Sequence, residues 1–332
     1  MKVFDFDPAE YRKLYAEQEW IHIPSGVTPE FLEAMREFVA RSLGDHKVAG
    51  PGIGGKGRKD QAVFEFPAEV DFPGEVFDTI APLSGLNRST LTLSERHVNA
   101  YYSDAAPEPT AHKDRHSSQI SVGLAIESPA ESRVVVYPSD DRGANPFNVS
   151  FALIDSLPPE RHPDRILPDA REVEIDDKPG DVVAFPGSSI WHLRRRPAGA
   201  VILYLKMNDF GSDPLGEDPS TPIRRQGTLE ALADNSNGAV LERVPDLSRR
   251  LDTITERYLR DQWRGLIEAQ VWEQKPVQLS EWELQLLREV DGQRTLAALL
   301  GDVGSTDEES ALARVRTLAE REILDLLPSG PA

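Results

Sequence analysis

The stretch AHKDRHSSQISVGLAIES, residues 111–128, sets His112 two positions before Asp114 and then runs into alternating apolar residues. An imidazole nitrogen and a carboxylate oxygen are both metal donors, and residues two apart on an extended chain point the same way. Spacing alone is weak evidence, because seven histidines and 56 acidic residues make chance pairings common, and a second pair, His162 and Asp164, occurs in LPPERHPDRILP. There prolines flank and split the pair and favour turns. A hydrated turn is a poor scaffold for ligands that must hold distances of about 2.0–2.2 Å. His112 instead lies at the mouth of a predicted strand, with VNAYYS before it and QISVGLAI after. KPGDVVAFPGSSIWHLRRR (178–196) supplies a third donor, His192, just past a strand and a Pro-Gly turn. Two neutral imidazoles and one carboxylate leave three coordination positions open. That set suits an Fe(II) ion that binds a co-substrate and O₂ together. A structural zinc site fills its fourth position and commonly recruits cysteine, and this chain has no cysteine.

The elements that must position these residues read as α+β. DPAEYRKLYAEQ and TPEFLEAMREFVARSLG carry helix-start residues and apolar spacing of a helix, with the short β-prone run WIHIP between them. GPGIGGKGRKD (50–60) is a glycine-rich basic loop; it lacks the order of a phosphate-binding loop, and no strand precedes it. From about residue 87 to 210, short β-branched or alternating runs dominate: STLTLSERHVNAYYS, SQISVGLAIES, SRVVVYP, VSFALIDS, REVEI, DVVAFPG and AVILYLKMND. Pro, Gly, Asp and Ser clusters separate them, which points to an antiparallel sandwich or barrel. After the linker GSDPLGEDPSTP the apolar spacing predicts helices throughout, including LSRRLDTITERYLRDQWRGLIEAQVWE. The expected organisation is a domain over 1–215, a helical linker, lid or dimerisation segment over 216–275, and a small domain over 276–332.

The ordered strings HKD and GDVVAFPGSSIWH, followed by a β-run, resemble the Fe(II)/2-oxoglutarate-dependent dioxygenases, whose signature is HxD…H on a double-stranded β-helix (jelly-roll, cupin-like) core. EQEWIHIPSGVTPEFLEAMREFV is similar to the N-terminal segment of the phytanoyl-CoA hydroxylase-like branch, and VNAYYSDAAPEPTAHKD to the approach strand of prolyl-hydroxylase-like members. The likeness spans about residues 15–210. It implies His112, Asp114 and His192 as iron ligands, with 2-oxoglutarate and O₂ as co-substrates and hydroxylation of an unactivated C–H bond as the outcome. It also implies a basic residue for the distal carboxylate of 2-oxoglutarate. Relatives commonly place it early on the strand after the distal histidine, where this chain has Val201 and Ile202. Lys206, further along AVILYLKMND, is the first choice, and Arg195, chosen from the basic turn Arg194, Arg195 and Arg196 nearby, is named with it; Arg133 is an outside candidate. Asn99 and Tyr102, on the strand before the motif, either bond the co-substrate or pack. Trp191 reads as core. A carboxylate at Asp114 points away from halogenation, for which relatives carry a small residue there.

Residues 277–328 resemble a winged helix of the PqqD-like peptide-recognition kind, so the expected substrate is a peptide, an amino acid or a natural-product intermediate. A homodimer through the C-terminal helices is the competing role for that segment. A net charge of −19 repels nucleic acid and anionic membrane surfaces. The N-terminus lacks the charge and apolar core of a signal peptide, and no apolar run approaches the roughly 20 residues that span a bilayer. A cytoplasmic protein is the expectation. The same β-rich fold also serves as a cupin-like binding module without turnover, or as a peptide adaptor.

Overall fold

The computed structural model describes residues 1–43, 59–138, 143–234, 236–261, 264–304 and 307–329. All of the glycine-rich stretch except Lys59 and Asp60 lies outside these described residues. The chain divides into two compact units, Met1–Gly211 and Ser212–Ala332.

In the first unit, α1 (Pro8–Gln18), β1 (Ile21–Ile23) and α2 (Pro29–Ser42) come first. Asp7 and Thr28 cap the two helices by accepting the amides of Ala9 and Phe31, each with proline in the first turn. One stripe of α2 (Phe31, Met35, Phe38 and Val39) is buried. Next come β2 (Lys59–Val63), α3 (Asp78–Ser84), β3 (Thr92–Tyr101), β4 (Ile120–Glu127), β5 (Arg133–Tyr137), α4 (Ser150–Ser156) and α5 (Pro163–Ile166). The unit closes with β6 (Val173–Ile175), β7 (Val182–Phe185), β8 (Trp191–Arg195) and β9 (Val201–Asn208).

Two antiparallel sheets result, one ordered β1-β7-β4-β9-β3-β2 and one ordered β6-β5-β8. The chain changes sheet between β4 and β5, β6 and β7, β7 and β8, and β8 and β9, which is the path of a jelly roll. Strand parity divides the side chains of the larger sheet. Val98 and Ala100 of β3, Val122 and Leu124 of β4, and Leu203 and Leu205 of β9 join α2 in one apolar cluster on the outer face. On the inner face, Val183 and Phe185 of β7 meet Val134 and Val136 of β5 and Ile175 of β6, so the two sheets pack face to face. The run VSFALIDS is not a strand. It forms α4, because Leu153, Ile154 and Leu157 recur at helical spacing and pack on Trp191 and Leu193.

The second unit contains α6 (Ser220–Ala233), α7 (Asn237–Leu241), β10 (Val244–Leu247), β11 (Leu251–Leu259), β12 (Arg264–Val271), β13 (Val277–Leu279), α8 (Glu281–Glu289), α9 (Leu296–Val303), α10 (Glu308–Glu320) and β14 (Leu324–Leu327). The expectation of helix over LSRRLDTITERYLRDQWRGLIEAQVWE is corrected: this segment is the antiparallel pair β11–β12, extended by β13. Thr253, Ile254 and Thr255 in succession favour the extended chain, and the helical spacing of its apolar residues is coincidental. A reciprocal Ser280–Glu283 box starts α8, and β14 returns to pair with β10. The unit has its own apolar cluster, which includes Leu286, Leu299, Val315 and Leu324. Among the described residues no helix is long and apolar enough to cross a membrane.

Candidate metal centre

His112 and His192 are joined through their backbones. Each donates its amide to the other's carbonyl at 2.9 Å, an isolated bridge that ties the segment after β3 to β8. Asp114 is fixed two residues on, where its amide donates to the Gly187 carbonyl at 2.9 Å and its own carbonyl accepts from Asn145 Nδ2 at 2.9 Å. One donor atom from each of the three side chains lies within 4.8 Å of the others. His112 Nε2 is 3.7 Å from Asp114 Oδ1, and His192 Nε2 is 3.6 Å from Asp114 Oδ2. Donors about 2.1 Å from one ion and at right angles lie about 3.0 Å apart, so small side-chain rotations close this set on a single cation.

The surroundings prepare these donors. His192 Nδ1 is 2.9 Å from the Ile190 carbonyl; a carbonyl only accepts, so Nδ1 carries the proton and Nε2 presents its lone pair to the centre. Partial burial, then the neighbouring His192, pushes the His112 imidazole below its ordinary value and favours the neutral, ligating form. Burial alone would raise Asp114, but Lys206 and His192 outweigh it and hold the carboxyl well below the usual range. Asp114 Oδ2 accepts the Ser121 hydroxyl at 2.7 Å. Gly187 leaves the room for that bond, since a Cβ there would stand 2.0 Å from Ser121 Oγ and 2.7 Å from Asp114 Oδ2. Two imidazoles and one carboxylate on one face, with the opposite side left to a cavity, fit a ferrous ion.

The cavity is lined by Lys59, Asn99, Tyr101, Phe185, Arg194, Tyr204 and Lys206, among others, together with the triad. Lys206 projects inward from β9, 3.0 Å from Asp114 Oδ1 and 2.9 Å from Glu95 Oε1. Burial would lower its ammonium, yet Asp114 and Glu95 raise it above the ordinary lysine range, so it stays charged. Asn99 also faces the cavity and accepts from Gln61 Nε2 at 2.7 Å. Two of the anticipated co-substrate residues stand elsewhere. Tyr102 does not line the cavity and bonds Asp60 instead, because it has the opposite parity to Asn99; Tyr101 takes the inward position. Arg195 likewise points away and is held by Glu108, Glu172 and Glu174. Arg194, two residues past His192, faces inward in a buried bidentate pair with Asp177 at 2.7 and 3.1 Å. Arg133 is spent on Asp176 and the backbone. His162 bonds the Leu157 carbonyl and is not one of the three donors.

Glu95, Ser121, Gly187, Tyr101, Tyr204 and Lys59 were not anticipated. Parity counted from Asn99 finds Tyr101, and parity counted from Lys206 finds Tyr204. Ser121 and Gly187 come from segments that meet only in the folded sandwich.

No family model and no curated protein matches the chain. Among solved structures it is similar to SnoK, a non-heme α-ketoglutarate-dependent carbocyclase from nogalamycin biosynthesis, at 17% identity, 60% of this chain, 83% of that one and a TM-score of 0.43. A Pseudomonas putida prolyl-4-hydroxylase is 12% identical over 60% of this chain and 98% of its own, with a TM-score of 0.40. HygX from Streptomyces hygroscopicus, solved with nickel and 2-oxoglutarate bound, is 12% identical over 61% and 88%, also with a TM-score of 0.40. Likeness this distant assigns nothing by itself; the chemistry rests on the three donors and the cavity behind them.

Proposed function

We propose that this chain is an Fe(II)- and 2-oxoglutarate-dependent oxygenase that hydroxylates an unactivated C–H bond of a peptide, an amino acid or a natural-product intermediate, releasing succinate and CO₂. The observation that carries the reading is the convergence of His112, Asp114 and His192 on one face of a cavity that also holds inward-facing cations. When bound there, iron and 2-oxoglutarate supply the oxidising power for that chemistry. The side chains of the protein do the rest. His112, Asp114 and His192 would hold the ion, beside the cavity that their side chains help to line. Lys59, Lys206 and Arg194 all face the cavity and can offer positive charge to a second carboxylate, Lys206 and Arg194 from within their existing pairs with Asp114 and Glu95 and with Asp177. Asn99, Tyr101 and Tyr204 offer hydrogen bonds, while Phe185 and Val134 keep the wall dry. Asp114 fills the position that halogenation would need open, which favours hydroxylation.

The test is an anaerobic titration with Fe(II) and 2-oxoglutarate, read by the weak visible absorption of the chelate and then by succinate release on admitting air. The expected result is a saturable band and oxygen-dependent succinate, both lost in His192→Ala, with metal affinity reduced by at least about tenfold. A band without succinate would point to a metal-binding module that does not turn over. Unchanged succinate formation in the variant would overturn the ligand set.

A further inference from the structure

Single exposed apolar side chains are ordinary on a protein surface, but several gathered near a candidate metal centre are not. Six large hydrophobic side chains are exposed among the described residues of the first unit: Leu14, Val63, Phe147, Val149, Phe151 and Phe210. Four of these belong to two segments at the triad. The Phe151 ring lies 6.1 Å from the ring of His112, yet Phe151 is 45% exposed. The Phe210 ring, 48% exposed, lies 5.1 Å from His116, whose amide donates to the Phe147 carbonyl at 2.8 Å. Val149 lies between Phe147 and Phe151. The segment they share is anchored, not loose: Asn145 bonds the Asp114 carbonyl through its side chain and the Ser188 carbonyl through its amide. On α4, Leu153 and Ile154 pack inward while Phe151 is left to solvent.

From this geometry we propose that Phe147, Val149, Phe151 and Phe210 form the substrate rim of the metal centre, and that the substrate presents an uncharged hydrocarbon face, aromatic or alicyclic, to them. The proposal rests on the oxygenase reading above. Its occupant follows from the position of Phe151 beside His112: a molecule that packs on this ring sits at the edge of the triad. Burying these rings on binding supplies the driving force that a sugar or a charged amino acid would not recover.

The test uses the full chain loaded anaerobically with Mn(II) and 2-oxoglutarate, and the neutral aromatic probe N-phenyl-1-naphthylamine. The expected result is a saturable rise in probe fluorescence and paramagnetic broadening of the bound probe's proton resonances. In Phe147→Ser/Phe151→Ser/Phe210→Ser the affinity falls by at least about tenfold and the broadening disappears. Mn(II) binding read by electron paramagnetic resonance is retained in that variant, which shows the centre and fold intact; should the triple variant misfold, Phe210→Ser alone carries the same comparison. Unchanged affinity in the variant, or bound probe without broadening, overturns the rim. Wild-type chain that fails to bind Mn(II) overturns the metal centre and this proposal with it, whereas Mn(II) bound with no probe overturns the rim alone.

Discussion

At the scale of single residues the centre depends on a side chain that is absent. A methyl group at Gly187 would occupy the space of the Ser121–Asp114 hydrogen bond, at distances no real contact shows. Gly187→Ala is therefore expected to turn the Asp114 carboxylate and weaken metal affinity by about 10- to 100-fold, the range for lost support of a ligand. Isothermal titration with Mn(II) measures this, with circular dichroism to show that the fold persists; full affinity would mean that the carboxylate holds its place without the serine. Much of this scale was legible in the sequence. The HxD spacing, and a histidine just after a GD…FPG turn, identified the three donors without any knowledge of their distance. The errors came from parity: pairing Tyr102 with Asn99 and choosing Arg195 over Arg194 each places a side chain on the wrong face, since one step along a strand reverses its direction. Lys59 was hidden for another reason, because a glycine-rich basic run carries no alternation to mark a strand.

At the scale of elements, β5 and β8 are joined on the outside of the sandwich by a polar network at Tyr137. Its hydroxyl donates to Glu172 at 3.0 Å, and Arg195 pairs with the same carboxylate. Burial first, and then that hydrogen bond, pushes the phenol up to about 12. An unfolded tyrosine titrates near about 10, so the folded state retains this proton over the interval between the two values. Its contribution is whole below about pH 10 and is lost as the pH climbs through about 12. Urea midpoints measured across that interval should fall more steeply for the wild type than for Tyr137→Phe; parallel slopes would place the alkaline sensitivity elsewhere. Elements were read best where composition and period agreed. Proline and cap residues marked α1 and α2, and dense β-branching marked β4, β7 and β9. Residues 150–156 and 251–271 were misread for opposite reasons. In the first, a seven-residue helix is too short for its period to stand out against β-prone side chains. In the second, apolar residues of a hairpin happened to fall at helical intervals.

At the scale of the whole molecule, each unit has apolar clusters of its own among the described residues. The clusters of the first unit run from Val3 to Met207, while that of the second runs from Ala231 to Leu326. Two cores of this kind are expected to give two calorimetric transitions. Saturating Mn(II) with 2-oxoglutarate should raise only the one belonging to Met1–Gly211, because a ligand stabilises the unit that binds it. A single transition that moves as one would mean that the cores melt together. The division was only partly readable: the Pro/Gly/Asp-rich run from residue 211 marks the break, but the strands beyond it were hidden in what looked like continuous helix.

The reciprocal amide bridge between His112 and His192 has one more consequence. Because the peptide planes carrying both imidazoles are already clasped, an arriving cation meets side chains whose backbone anchors are fixed and needs only their rotation to close the set. Little of its binding energy is then spent on ordering the loop, and the pocket can lose and regain its ion without the surrounding strands having to refold.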